Sequence, residues 1–218
     1  MSANDTSIPI KKSPLTTTKT VILNISKMLN ARGYIDTKNI NRASDKLTRL
    51  QENDTYSIEL DKDIQPDTQK AEYIRTFNKR TIYIRFIHMQ VQGITKIPMV
   101  KEFLDLFHRN HKFLIFDSIS DRAKNMILNQ HLNTEVFQEW TLMMNILEHV
   151  DSPKYELLTN EDDNVLESYN VQRNQLPKML MTDPIVDYFR LKPGQIIRVL
   201  RPSEQSGYSV AYRIVVGV

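Results

Sequence analysis

The run Arg80 to Ile87 (RTIYIRFI) constrains this chain most, because β-branched and aromatic residues that alternate along it fit a pleated strand. Ile82, Ile84 and Phe86 fall on one face of that strand, and Tyr83, Arg85 and Ile87 on the other. Helical periodicity surrounds it. Val21, Ile22, Ile25, Met28 and Leu29 share one helical face, and Gly33 can supply the left-handed residue that ends a helix, so a first helix is expected to stop near Arg32. A second helical segment is expected after Asp36 or Thr37 as N-cap, with Ile40, Ala43, Leu47 and Leu50 on its apolar stripe. Residues 51–78 are polar and weakly periodic and read as a long surface connection. After Pro98, Val100, Phe103, Leu104 and Phe107 repeat at helical spacing, Lys112 to Phe116 reads as a short strand, and Ser120 can cap a helix carrying Ala123, Met126 and Ile127. Glu139 to Leu147 (EWTLMMNIL) reads as a buried strand, with helix as the alternative. This order implies an α/β domain ending near Leu147.

The remaining residues read differently. Thr159 to Asp162 approximates a capping box opening a short helix through Val165, Leu166 and Tyr169. Pro177 stops helical continuation, and Asp183-Pro184 places an N-cap before a Pro suited to the first helical position of a helix through Ile185, Val186, Tyr188 and Phe189. Lys192-Pro193-Gly194 has Pro then Gly at the central positions of a type II turn. Gln195 to Arg201 and Tyr208 to Val216 are strands, and Gly207 in their connection makes a β-hairpin. The expected division is a flexible tail over 1–16, one domain over 17–148, and a small mixed α+β domain over 149–218. About seventy residues bury a marginal core, so the second domain is expected to dock on a larger partner.

Composition narrows the function classes. The chain has 218 residues, 40% apolar and 25% charged, which suits a folded globular protein. Absence of Cys excludes disulfides, thiolate metal sites and Cys nucleophiles. No run approaches the ~18 apolar residues of a membrane span, and no apolar signal segment is visible, so the expectation is a soluble intracellular protein without membrane partners. Residues 1–150 carry 21 Lys+Arg against 17 Asp+Glu, and residues 151–218 carry 8 against 9. The slight basic bias therefore belongs to the first part, which makes Ser120, Arg122 and Lys124, at a helix start, the best local candidates for contact with duplex DNA phosphates.

Catalytic patterns are missing. Neither a P-loop nor a G-x-G-x-x-G fingerprint occurs, and Ser203 and Ser206 lack a nucleophile-elbow context. Of the five His residues, at 88, 108, 111, 131 and 149, only His108 and His111 have helical ligand spacing, and no third ligand occurs at a fitting distance. No cofactor and no metal are expected.

Gln175-Leu176-Pro177-Lys178, Asp183-Pro184, Leu191-Lys192-Pro193-Gly194-Gln195, Arg201-Pro202-Ser203-Glu204 and Gly207 with Tyr212-Arg213 occur together in order. Each is a commonplace turn or cap; the set resembles the family of RNA polymerase subunits called H in archaea and number five in eukaryotes. The likeness reaches back to His149 and Pro153-Lys154, while Tyr155 stands where the family usually has a second His, and Gly207-Tyr208 where it has Gly-Arg. Upstream, Thr20-Val21 and Arg32-Gly33-Tyr34 look like the first helix of the eukaryotic N-terminal domain and its stop.

The resemblance implies a non-catalytic subunit of a DNA-directed RNA polymerase, present as a single copy in a hetero-oligomer. It implies an N-terminal jaw with restriction-endonuclease-like three-layer topology, near downstream DNA, and a C-terminal assembly domain on the largest subunit. Arg201, Glu204, Tyr212 and Arg213 are the candidate contacts to that subunit, and Pro177, Asp183, Pro184, Gly194 and Gly207 the structural positions of the motif. Archaeal forms lack the jaw, so the lineage implied is eukaryotic, with the nucleus as location, or that of a large DNA virus, with virion or cytoplasmic virus factory. A free-standing basic DNA-binding protein is one alternative. A degenerate metal-dependent nuclease is the other, and Asp36-Thr37-Lys38 is the triplet it would use.

Overall fold

The computed structural model describes residues 14–41, 48–50, 54–67, 71–91, 98–149, 152–158, 162–203, 205 and 207–217. They form two compact units, Met1–Met144 and Asn145–Val218.

In the first unit, helix α1 (Pro14–Ala31) buries Val21, Ile22, Ile25, Met28 and Leu29. It begins within the expected tail: Pro14 to Thr16 are helical, because the missing N–H of a Pro costs nothing in a first turn, while residues 1–13 lie outside the described residues. Gly33, at φ +81°, closes the helix, with the Tyr34 N–H donating to the Leu29 carbonyl at 2.9 Å. The expected second helix is under way at Ile40 and Asn41, which are helical, and residues 42–47 lie outside the described residues. Thr37–Asn39 form a 3-10 turn, Ala43 and Leu47 lie outside the described residues, and Leu50 stands on strand β1 (Thr48–Leu50).

The supposed surface connection contains strand β2 (Thr55–Glu59), with Thr55 and Ile58 buried, and a short helix α2 (Ala71–Thr76). Strand β3 (Asn78–Val91), helix α3 (Pro98–Leu106), strand β4 (Asn110–Ile119), helix α4 (Asp121–Gln130) and strand β5 (Thr134–Gln138) come next along the chain. The sheet order is β1-β2-β3-β4-β5, antiparallel as far as β3 and parallel from β3 to β5.

β4 is buried from His111 to Phe116, as a parallel strand covered on both faces must be. Leu114 and Phe116 share a core with Val100, Phe103 and Leu104 of α3 and Ala123 and Ile127 of α4. Phe113 and Ile115 point to the opposite face by the alternation of the pleat, and there the Arg32 guanidinium, just past α1, lies 6.0 Å from the Phe113 ring centre. The strand expected over Glu139–Leu147 is displaced: β5 ends at Gln138, and Glu139–Leu142 form a short helix, α5. The apolar residues of that stretch misled because they are not all buried; Trp140 is 68% exposed and Met144 63%.

The second unit contains strand β6 (Lys154–Leu157), helix α6 (Asp162–Tyr169), strand β7 (Lys178–Leu180), helix α7 (Pro184–Phe189) and strands β8 (Ile196–Ser203) and β9 (Gly207–Val216). The expected hairpin is β8–β9, antiparallel from Ile196 opposite Ile214 to Ser203 opposite Gly207. β6 and β7, which periodicity did not reveal, pair at its two sides, giving the order β6-β8-β9-β7 with β7 parallel to β9. Thr159 to Glu161, in the expected capping box, lie outside the described residues.

Candidate functional site

The turn and cap residues of the second unit set the geometry of its sheet. The Pro177 carbonyl accepts from the Ile214 N–H at 3.0 Å, placing β7 beside β9. Asp183 caps α7 through the Ile185 N–H at 2.9 Å, with Pro184 in the first turn. Gly194 takes φ +88° in a turn closed by the Gln195 N–H on the Lys192 carbonyl at 3.1 Å, a conformation a side chain would strain, and its own N–H reaches the Val215 carbonyl at 2.8 Å. Gly207, at φ +74°, opens β9.

The pleat sorts the remaining residues onto two faces. One carries Ile197, Val199, Met179 and Val215, all buried, with Tyr155 against the Phe189 ring of α7 at 6.3 Å. Arg201 and Arg213 belong to this face. Burial pushes the Tyr155 phenol above its ordinary value, Asp183 adds to the rise, and Arg201 and Arg213 oppose it. The position where the family resemblance expected a His is thus a phenol between one carboxylate and two guanidinium groups.

The opposite face presents an apolar row along β9: Tyr208, Val210, Tyr212, Ile214 and Val216. Leu200 and Pro202 lie beside it on β8, and Leu180 on β7. Tyr208 is 55% exposed, Val210 41% and Leu180 53%. Tyr169 of α6 sits with its ring centre 5.6 Å from that of Tyr212, and burial together with this neighbour raises the Tyr212 phenol. Lys154 lies 5.7 Å from the Tyr208 ring, and Arg198 pairs with Glu156 at 3.1 Å, so charged groups flank the row. Tyr208, Val210 and Leu180 are thus exposed apolar side chains with charged groups at their margin.

The four candidate contact residues do not form one surface. Tyr212 points to the apolar face, Arg201 and Arg213 to the other, and Glu204 lies outside the described residues. Sequence reasoning missed Tyr208, Val210, Leu180 and Tyr169, although the alternation Tyr-x-Val-x-Tyr-x-Ile-x-Val was visible; what it lacked was the knowledge that this face stays uncovered.

In the first unit, Ser120 caps α4, its hydroxyl accepting from the Ala123 N–H at 3.3 Å. Arg122 is exposed and Lys124 half-buried, and Asp121 shares their helical turn. Asp36, Thr37 and Lys38 are exposed on the 3-10 turn; Asp36 makes no side-chain cap, and its N–H donates to the Asp61 carboxylate at 2.8 Å. The two His residues at helical spacing are separated: α3 ends before His108, and His111 is buried on β4, 2.8 Å from Glu135, which also receives both terminal nitrogens of Arg32 at 2.8–2.9 Å. Distant segments instead bring His88, Asp117 and Glu139 together, their ligand atoms within 4.8 Å of one another. No local spacing announces that set.

No helix among the described residues is long and apolar enough to cross a membrane. Residues 144–215 match the family described as RNA polymerase Rpb5, C-terminal domain. The chain is 28% identical over 217 residues to the DNA-directed RNA polymerase subunit 5 of Acanthamoeba polyphaga mimivirus, covering 99% of this chain and 100% of that protein. It is 37% identical over 100 residues to the DNA-directed RNA polymerases I, II, and III subunit RPABC1 of Caenorhabditis briggsae, covering 45% of this chain and 44% of the relative. It is also 36% identical over 74 residues to the DNA-directed RNA polymerase subunit Rpo5 of Methanocaldococcus jannaschii, covering 34% of this chain and 95% of the relative. With its second unit matched and nearly the whole archaeal relative aligned, this chain belongs to the Rpb5 family of RNA polymerase subunits.

Proposed function

We propose that this chain is a non-catalytic subunit of a DNA-directed RNA polymerase, held to the largest subunit by its second unit. The observation that carries the reading is the exposed pair Tyr208 and Val210, continued by half-buried Tyr212, on a sheet whose other face buries Ile197, Val199, Met179 and Val215. Docking gives that surface a role, and Arg201 and Arg213 on the other face serve as support for Tyr155 and as a charged rim. The full-length likeness to the mimivirus subunit supports a polymerase of a large DNA virus.

The test is affinity purification of the polymerase through the full-length chain. Val210→Asp together with Tyr208→Asp places charge on exposed positions, so the chain should fold while recovery of the largest subunit falls at least tenfold. Undiminished recovery would overturn this surface.

The first unit is read as the jaw near downstream DNA, with a restriction-endonuclease-like arrangement of its mixed sheet and helices. Arg122 and Lys124 supply phosphate attraction without sequence reading, moderated by Asp121. Arg122→Ala with Lys124→Ala should weaken retention of downstream duplex by the assembled polymerase and lower its salt slope by about 2, leaving assembly intact. An unchanged slope would remove these residues from the DNA-facing surface.

A further inference from the structure

The cluster at the carboxyl ends of the parallel strands belongs neither to the apolar row nor to the basic helix start. Ile87 of β3 and Gln138 of β5 both pair with Phe116 of β4. The next residues are His88, Asp117 and Glu139, so Asp117 stands between the other two. An extra residue on β3, between the pairs Ile87–Phe116 and Gln90–Ser118, makes a bulge at His88, and bulges re-aim side chains relative to the regular pleat. The His88 Nδ1 lies 3.5 Å from Asp117 Oδ1, and its Nε2 lies 3.9 Å from Asp54 Oδ2 at the entry to β2.

We propose that His88, Asp117 and Glu139 bind a first-row divalent cation of the zinc class. Three features of the cluster favour this over an ion-paired surface. The donor set is mixed, one imidazole with two carboxylates, and such N/O sets suit Zn²⁺ or Mn²⁺ better than Mg²⁺, which prefers oxygen and water. Ligands at about 2.1 Å from a tetrahedral ion stand ~3.4 Å apart; His88 Nδ1 and Asp117 Oδ1 are already 3.5 Å apart and all three donor atoms lie within 4.8 Å, so side-chain rotations complete the site. With Nδ1 toward the ion, Nε2–H faces the Asp54 carboxylate 3.9 Å away, which a small shift would bring to the hydrogen bond by which an outer carboxylate orients a metal-bound imidazole. His88 and Asp117 are 46% and 43% exposed, leaving an entry path and room for water as a fourth ligand. The bound ion would tie together the ends of three neighbouring strands.

The untagged full-length chain, freed of metal with a chelator, is titrated calorimetrically with Zn²⁺ and separately with Mg²⁺. One saturable Zn²⁺ site per chain is expected, at least tenfold weaker in His88→Ala and in Asp117→Asn and unchanged in His108→Ala, with Mg²⁺ binding much weaker. Co²⁺ should give a visible absorption band that disappears in His88→Ala. Circular dichroism verifies the folding of each variant, and the isosteric Asp117→Asn provides the decisive comparison. Absence of saturable Zn²⁺ binding by the parent chain, or equal binding by folded Asp117→Asn and His88→Ala, overturns the site. Binding lost equally in His108→Ala would assign the metal elsewhere and overturn it as well.

Discussion

The two units differ in the charge they bury within their sheets. The first covers its parallel strands on both faces and buries Arg32, Glu135 and His111 as one hydrogen-bonded set, with side chains 2%, 10% and 0% exposed, and Lys112 besides. The second keeps its ion pair outside, Arg198 and Glu156 being 37% and 51% exposed, and leaves apolar side chains in water on one sheet face. The exposed Tyr208 and Val210 are the side chains that the proposed docking would cover.

The largest effect should come from opening the enclosed set. Glu135→Gln removes the carboxylate between Arg32 and His111, and breaking a buried pair costs about 3–5 kcal/mol, whereas Glu156→Gln at the exposed pair should cost less than ~1 kcal/mol. Urea denaturation of both variants measures the contrast; equal costs would abolish it. Within the second unit, Ile197→Ala on the buried face should lose about 2–4 kcal/mol, and Val210→Ala on the open face less than ~0.5 kcal/mol while still weakening recovery of the polymerase. A large loss at Val210 would mean the face is already covered.

A smaller effect concerns Lys112, buried on β4 with Nζ donating to the Leu132 carbonyl at 3.1 Å. Burial lowers its ammonium from 10.5 to about 8, with Asp67 opposing the shift. The folded chain therefore releases this proton near pH 8, while the unfolded chain keeps it to about 10.5, so stability rises with pH across that window and the burial cost is fully felt below it. Lys112→Met should gain most over the parent near pH 7, and its advantage should shrink by on the order of 1 kcal/mol toward pH 9.5. A gap that widened with pH would reverse the sign. Ser120→Ala should cost about 1 kcal/mol for a lost cap, read as an earlier thermal transition.

Much of this architecture was legible because it is local. Asp183-Pro184 and Pro193-Gly194 fix their cap and turn through the backbone of their own neighbours, and RTIYIRFI carries its strand in its alternation. The misreadings arose where tertiary context outweighs local pattern. β2 has too few apolar residues to stand out because its neighbours hold it through backbone pairing, and the apolar stretch after Gln138 mimics a strand although Trp140 and Met144 face water. Faces and clusters were the least legible. Tyr212 and Arg213 are adjacent in sequence and point in opposite directions, while His88, Asp117 and Glu139 are distant in sequence and meet only because three strands share a register.

The order β6-β8-β9-β7 also has a temporal consequence. β9 is the latest of the four strands in the chain, yet it is an interior strand, and β7 pairs with it and not with the earlier β8. During synthesis, β7 has no sheet neighbour until β9 has left the ribosome, so this sheet cannot be completed in step with translation and must form after β9 emerges. A nascent chain arrested before Gly207 would leave Met179 and Val199 without the strand that organises them. The β9 face, which carries the proposed docking surface, is therefore the last part of this sheet to come into being.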